Sequence, residues 1–354
     1  MNKIRVLVID DSMLIRKILT EIFNSSSDIE VVGTAANPYI ARDMIKQLNP
    51  DVLTLDIEMP QMDGITFLKN LMRLRPTPVV MISTLTEKGA DVTLEALALG
   101  AVDFITKPKM DIASTLESYS EEIIGKVRTA ALAKIENYNN KTFAARENDK
   151  TPALPHLKSG PVKQISLNNK IIAIGASTGG TEAIKTVVKG LPARTPPIVI
   201  TQHLPAAFSE SFVRHIDLVT PMKACIPKQG QIVEPGYIYL APGDRHMKII
   251  KEGLRFIVQL DDGEPVNRHK PAVDVMFRSL VQSAGANAVA VLLTGMGSDG
   301  ASGMKEMHDA GAKTVIQDEK SSVVWGMPGT AYKLGCTDYV LPLEEVSGKI
   351  LTLL

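Results

Sequence analysis

Apolar and polar positions divide the chain into two stretches of alternating strand and helix, with a stretch between them that keeps neither period. In the first, apolar runs at Ile4–Ile9, Glu30–Gly33, Asp51–Leu55, Pro78–Ile82 and Ala101–Ile105 predict strands. Helical spacing predicts helices over Met13–Phe23, Pro38–Leu48, Ile65–Leu74, Gly89–Leu99 and about Ile112–Ala130. The strand runs lack a period of two, as expected of strands buried on both faces, so the alternation predicts a doubly wound α/β domain with a five-stranded parallel sheet. From 131 to 169, Asn, Lys, Glu, Pro and Gly dominate and read as an exposed linker.

Alternation resumes at Lys170. Strands are expected at Ile171–Gly175, Pro197–Thr201, Tyr237–Leu240, Met247–Ile250, Leu254–Val258, Ala288–Leu293 and Thr314–Gln317. Helices are expected at Thr181–Lys189, Ser209–Leu218, Val273–Ser283 and Ala301–Ala310. Glu252-Gly253 between two apolar runs predicts a hairpin, so this half reads as a mostly parallel α/β sheet with an antiparallel hairpin. The length of 354 residues exceeds what one core usually supports, about 250–300. The expected division is domain 1–125, linker 126–165 and domain 166–354.

Charge removes some function classes. Lys+Arg and Asp+Glu both total 39, which argues against nucleic acid or a membrane surface held by bulk charge. No apolar run approaches the roughly 20 residues that span a bilayer, and Asp10-Asp11 ends the first run too soon for a secretory leader. Cys225 and Cys336 suggest neither a metal site nor a disulfide framework and fit a reducing cytoplasm.

Ligands of doubly wound sheets sit beyond the carboxyl ends of the strands, so the polar residues there are informative. The first domain ends its strands in Asp10-Asp11, Asp56, Ser83-Thr84 and Lys107-Pro108. In flavodoxin-like strand order the three carboxylates fall together. Mg²⁺, an oxygen-seeking cation, suits such a cluster; a carboxylate can also accept a phosphoryl group. Lys107 could pair with that group and Ser83 be drawn toward it. The segments Val8-Ile9-Asp10-Asp11-Ser12, Leu55-Asp56-Ile57-Glu58-Met59-Pro60, Met62-Asp63-Gly64 and Thr106-Lys107-Pro108 resemble a response-regulator receiver domain over about residues 1–125. The resemblance implies phosphorylation of Asp56, with Mg²⁺ held by Asp10, Asp11, Asp56 and the Glu58 backbone carbonyl. It implies Ser83 and Lys107 as switch hydroxyl and phosphate-sensing lysine. Phe104 aligns with the switch aromatic but lacks the hydroxyl a Tyr would carry.

In the second domain the first strand runs into Gly175-Ala176-Ser177-Thr178-Gly179-Gly180, which fits G-x-S-x-G on a strand-to-helix turn. An anion-binding loop competes with that reading, although G-x-G-x-x-G and the Walker A lysine are absent. The next strand ends in Gln202-His203-Leu204-Pro205, and Ala288–Leu293 leads to Thr294-Gly295-Met296-Gly297-Ser298-Asp299-Gly300. Three strand ends thus offer Ser177 as nucleophile, His203 as general base and Asp299 to orient the imidazole. The Gly-rich stretch around Met296 can offer N–H groups to an oxyanion. His246 reads as structural. His269 is a rival base, or with Arg268 a substrate contact.

These segments, with Ala241-Pro242-Gly243, resemble the catalytic domain of the chemotaxis methylesterase family CheB, as does the receiver-linker-esterase layout. The resemblance implies hydrolysis of glutamyl methyl esters on chemoreceptors with release of methanol, and deamidation of receptor glutamines. It implies oxyanion contacts through the backbones of Thr178 and Met296, no cofactor in the esterase site, and a chemotaxis histidine kinase as phosphodonor. The expected protein is a cytoplasmic monomer recruited to receptor clusters, without membrane insertion or nucleic acid. Its receiver is expected to cover the esterase cleft until phosphorylated. The alternative is a receiver-linked scaffold or anion-binding protein with no hydrolase activity.

Overall fold

The computed structural model describes residues 3–107, 116–133 and 169–354. The chain divides into two compact units, Met1–Ala144 and Ala145–Leu354. Most of the expected linker, and Pro108 of the Thr-Lys-Pro motif, lie outside the described residues.

The first unit consists of β1 (Ile4–Ile9), α1 (Met13–Asn24), β2 (Ile29–Ala35), α2 (Pro38–Leu48), β3 (Val52–Asp56), α3 (Gly64–Leu74), β4 (Val79–Ser83), α4 (Glu87–Ala98), β5 (Asp103–Thr106) and α5 (Leu116–Leu132). The sheet order is β2-β1-β3-β4-β5, all parallel. Polar punctuation sets the helix starts: Ser12, Asn37, Asp63 and Thr86 each accept an N–H of the first turn of α1 to α4. The last helix continues past 125 to Leu132.

The second unit is built around a seven-stranded parallel sheet of order β14-β13-β12-β6-β7-β9-β8. Its strands are β6 (Ile171–Ala176), β7 (Ile198–Gln202), β8 (Lys223–Cys225), β9 (Tyr237–Leu240), β12 (Ala288–Leu292), β13 (Lys313–Gln317) and β14 (Tyr339–Leu341). The expected hairpin, β10 (His246–Glu252) with β11 (Arg255–Asp261), forms a separate antiparallel pair. Helices α6 (Gly180–Lys189), α7 (Ala206–Asp217), α8 (Val273–Ser283), α9 (Ala301–Asp309), α10 (Met327–Lys333) and α11 (Leu343–Leu353) complete it. One core joins Val273, Met276 and Phe277 of α8 to Ala173, Ala290 and Leu292 of the central strands and to Met247 and Phe256 of the hairpin. Sequence periodicity missed β8, β14, α10 and α11. The two strands have three residues each and α10 has seven, too few for a period to register.

Gly64, which opens α3, sits against the strand that carries Asp56. A Cβ there would lie 2.1 Å from the Asp56 carbonyl oxygen and 3.0 Å from Ile57 Cα, both unyielding backbone atoms. Gly64→Ala is therefore expected to destabilise the first unit by about 1–3 kcal/mol. Faster hydrogen exchange at the β1 and β3 amides would register the loss; unchanged protection would contradict it.

Candidate functional site

In the first unit, β1 and β3 pair directly, with Ile9 opposite Leu55, so Asp10 and Asp56 emerge side by side. Both are buried, at 0% and 1% exposure. Oxygen atoms of Asp10, Asp11 and Asp56 lie within 4.8 Å of one another. Lys107, at the end of β5, places Nζ 2.8 Å from Asp56 Oδ1 and 3.5 Å from Asp10 Oδ2. Burial pushes the Asp56 carboxyl up to about 6, against the pull of Lys107 and with the repulsion of Asp10. Burial raises Asp10 as well. The Oδ2 atoms of Asp10 and Asp56 have no hydrogen-bond partner among the described residues. Two orphaned buried carboxylate oxygens beside an exposed third carboxylate form a hard, anionic donor set that fits Mg²⁺. The Glu58 backbone lies alongside, its N–H 3.4 Å from Asp56 Oδ1. A cleft of about 590 Å³ opens between Asp56, Ser83 and the start of α4.

The switch candidates flank this pocket. Ser83 is buried, its hydroxyl 2.6 Å from that of Thr93, which is also 2.6 Å from the Gly89 carbonyl of α4. Phe104 is buried, with Lys126 Nζ 4.9 Å above its ring and donating to its carbonyl at 2.6 Å.

In the second unit three adjacent strands end together. β12 pairs with β6 (Leu292 opposite Gly175), and β6 pairs with β7 (Ala176 opposite Gln202). Ser177 and His203 follow β6 and β7 directly, and the Gly-rich turn after β12 brings Asp299 to them, as expected from the sequence. His203 Nδ1 is 3.1 Å from Ser177 Oγ, and Nε2 is 2.8 Å from Asp299 Oδ2. Asp299 is 2% exposed. Burial acts to raise its carboxyl, but the His203 hydrogen bond and charge outweigh it, with further donors from Asn267 and the Val273 N–H, and hold it at about 2. An ionised carboxylate can only accept, so Nε2 carries the proton donated to Asp299. That leaves Nδ1 to accept from the Ser177 hydroxyl, the tautomer a general base requires.

The backbone around Ser177 is fixed by groups the sequence reading passed over. Gln202 Nε2 donates to the Ser177 carbonyl at 2.9 Å, and the Ser177 N–H donates to the Thr294 carbonyl at 3.0 Å. The Thr294 hydroxyl is 2.9 Å from the Thr178 carbonyl and accepts the Val324 N–H at 3.0 Å, while Gln317 Oε1 accepts the Thr294 N–H at 2.8 Å. Gly179 takes φ 76°, and a Cβ there would meet Val323 at 2.7 Å. Thr178 stands in the turn that opens α6. Met296 stands between Gly295, which bridges to Trp325, and Gly297 at φ 81°. Both backbone segments border Ser177. Gln202, Thr294 and Gln317 gave a signal as polar residues at strand ends; Trp325, from a loop further along the chain, gave none.

The rival histidines separate. His246 is buried and bridges the Glu264 carbonyl and the Ala272 N–H, at 3.0 and 3.1 Å. His269 stacks on the His203 ring, centroids 3.7 Å apart and planes 14° apart, whereas the ring at hydrogen-bond distance from Ser177 is His203. Arg268 is exposed, at φ 67°.

Residues 172–350 match the family described as CheB methylesterase, and residues 6–117 match the response regulator receiver domain. The chain is 53% identical to the protein-glutamate methylesterase/protein-glutamine glutaminase of Hydrogenovibrio crunogenus, covering 100% of both chains. It is 51% identical to the protein of the same name from Salmonella typhi, covering 99% of this chain and 97% of that one. The solved catalytic domain of the Thermotoga maritima CheB methylesterase is 33% identical, with a TM-score of 0.52, over 52% of this chain and 99% of that one.

Asp299 titrates near 2 in the folded chain and near 3.8 when unfolded. Its contribution to stability is therefore fully present above about pH 4 and is lost as the pH falls toward 2. Between pH 5 and pH 2 the wild type should lose about 2 kcal/mol more unfolding free energy than Asp299→Asn. Urea melts followed by fluorescence of Trp325, the single tryptophan, measure the difference. Parallel pH dependences would show that Asp299 is not held ionised by its surroundings.

Proposed function

The chain belongs to the CheB methylesterase family, and on that premise we propose that it hydrolyses glutamyl methyl esters on chemoreceptors through Ser177, releasing methanol, and deamidates receptor glutamines at the same site. The observation that carries this reading is the unbroken line from Ser177 Oγ through His203 to Asp299, at 3.1 and 2.8 Å. In this reading Nδ1 of His203 takes the serine proton as Oγ attacks the side-chain carbonyl. The resulting imidazolium is stabilised by the buried Asp299 carboxylate. The developing oxyanion is received by the backbone N–H groups of Thr178, at the positive end of α6, and Met296. As the tetrahedral intermediate collapses, His203 gives that proton to the leaving oxygen, releasing methanol, or to the leaving amide nitrogen, releasing ammonia. Water hydrolyses the acyl-enzyme by the reverse route, with His203 again as base. Ester and amide differ only in the leaving group, so one site serves both.

The receiver reading assigns Asp56 as phosphoryl acceptor, with a kinase of the chemotaxis system as donor. Asp10, Asp11, Asp56 and the Glu58 carbonyl would hold Mg²⁺, which screens charge between the carboxylates and the incoming phosphoryl group. Lys107, already paired with Asp56 and Asp10, would turn to the phosphoryl oxygens, and Ser83 would follow. The receiver is taken to restrain the esterase until Asp56 is phosphorylated.

Ser177→Ala should lower methanol release from methylated receptor membranes by at least about 10³-fold, and a further His203→Ala change should add almost nothing, because the two act as one unit. Methanol release by Ser177→Ala at the wild-type rate would overturn the hydrolase assignment. For regulation, acetyl phosphate with Mg²⁺ should raise wild-type turnover. Asp56→Asn, or chelation of Mg²⁺, should remove that increase and leave basal turnover in place. Stimulation that survives in Asp56→Asn would move the phosphorylation site elsewhere.

A further inference from the structure

A second buried carboxylate lies behind the Ser177–His203–Asp299 line, and the mechanism above does not use it. Asp274, in the first turn of α8, is 3% exposed. Its Oδ1 accepts the Gly303 N–H at 2.7 Å, and the Arg278 guanidinium is 3.9 Å from its Oδ2. Burial raises its carboxyl, helped by the neighbouring Asp299 charge. Two adjacent buried carboxylates repel each other unless a donor stands between them. The donor here is Asn267, whose Nδ2 is 2.8 Å from Asp299 Oδ1 and 2.8 Å from Asp274 Oδ2. An amide nitrogen has two hydrogens, and this geometry gives one to each carboxylate.

Asn267 stands at the tip of a tight turn. Val266 and His269 exchange two backbone hydrogen bonds, at 3.0 and 2.9 Å, and Asn267 and Arg268 between them take φ 54° and 67°. Asn tolerates that left-handed backbone better than most residues, so one side chain meets both demands of the position. The same turn lays His269 on the His203 ring. Asp299 Oδ2 is occupied by His203 and the Val273 N–H, and Oδ1 by the Asp274 N–H and Asn267. Among the described residues Asn267 is the side-chain donor on Oδ1, and it comes from outside the strands that lead to Ser177, His203 and Asp299.

We infer that Asn267 is a positioning residue for the hydrolysis: its amide, held in turn by Asp274, fixes the rotation of the Asp299 carboxylate and thereby the direction of the His203 imidazole. The inference rests on the proposed Ser177–His203–Asp299 reading and adds a fourth and fifth residue to it. Without that amide, Asp299 Oδ1 is left with the longer 3.1 Å bond from the Asp274 N–H, which holds its rotation less tightly, and Asp274 loses a donor it needs when ionised.

The test is Asn267→Gly in the full-length chain, because glycine accepts φ near 54° and removes only the side chain. Steady-state methanol release should show kcat reduced about 10- to 100-fold with KM within about twofold. Thermal unfolding should move down by a few degrees, because two buried carboxylates each lose a donor, so kcat is compared well below the transition. A second variant, Asn267→Asp, keeps the size of the side chain but sets a third carboxylate beside two others. Its deficit in kcat should be larger at pH 8.5 than at pH 6, where a shared proton restores a donor. A readout independent of turnover is the downfield proton resonance of His203 Nε2–H on Asp299, which should shift in Asn267→Gly and vanish in Asp299→Asn. Wild-type kcat in Asn267→Gly, a loss confined to KM, or an unmoved resonance would overturn the inference. If the wild-type chain released no methanol, the hydrolase reading itself would fail, and the resonance alone would still decide whether Asn267 orients the pair.

Discussion

The parallel register of three neighbouring strands is the constraint on which the second unit depends. β12, β6 and β7 end within one residue of each other, so the chain leaves the sheet at three adjacent points on one edge. Ser177 and His203 follow their strands directly, and the His203 N–H bonds back to the Ala176 carbonyl at 3.3 Å. Asp299 arrives by a longer Gly-rich turn that the Thr294 and Gln317 side chains pin down. A slip of one residue in any of the three strands would turn its reactive side chain to the opposite face of the sheet.

Burial raises the carboxyls at both acidic sites, and the donors around each carboxylate decide the outcome. Asp56 and Asp10 are buried with few donors: they share one lysine, each adds one backbone N–H on Oδ1, and their carboxyls are pushed up. That shortage is what a cation and a phosphoryl group can relieve. Asp299 is equally buried but accepts from His203, Asn267 and the Val273 and Asp274 N–H groups, so its carboxylate stays charged. Carboxylates of similar exposure thus differ in their donors: Asp10 and Asp56 each keep an oxygen without a hydrogen-bond partner among the described residues, whereas Asp299 is bonded to the His203 imidazole.

The fold was legible where periodicity was long and the strand ends were polar. The five strands of the first unit, the central strands of the second and its antiparallel hairpin could all be read from apolar runs and turn residues. The short edge strands β8 and β14 could not be, because pairing along a neighbouring strand, and not a local pattern, makes them strands. Ser177, His203 and Asp299 were readable because each stands at a strand end in a Gly- or Pro-rich context.

Other parts of the site exist only in the folded chain. Asn267 lies 32 residues from Asp299, and nothing in the run Asn267-Arg268-His269 says which side chain meets the carboxylate, which meets the imidazole and which faces solvent. Tertiary structure decided that His269 stacks on the His203 ring while His203 faces the serine. By itself, the sequence determined which chemical groups are present and which strand ends carry them, because those depend on residue identity and local period. Their partners were decided by packing, because a hydrogen bond depends on distances of a few ångströms between segments that the chain itself keeps far apart.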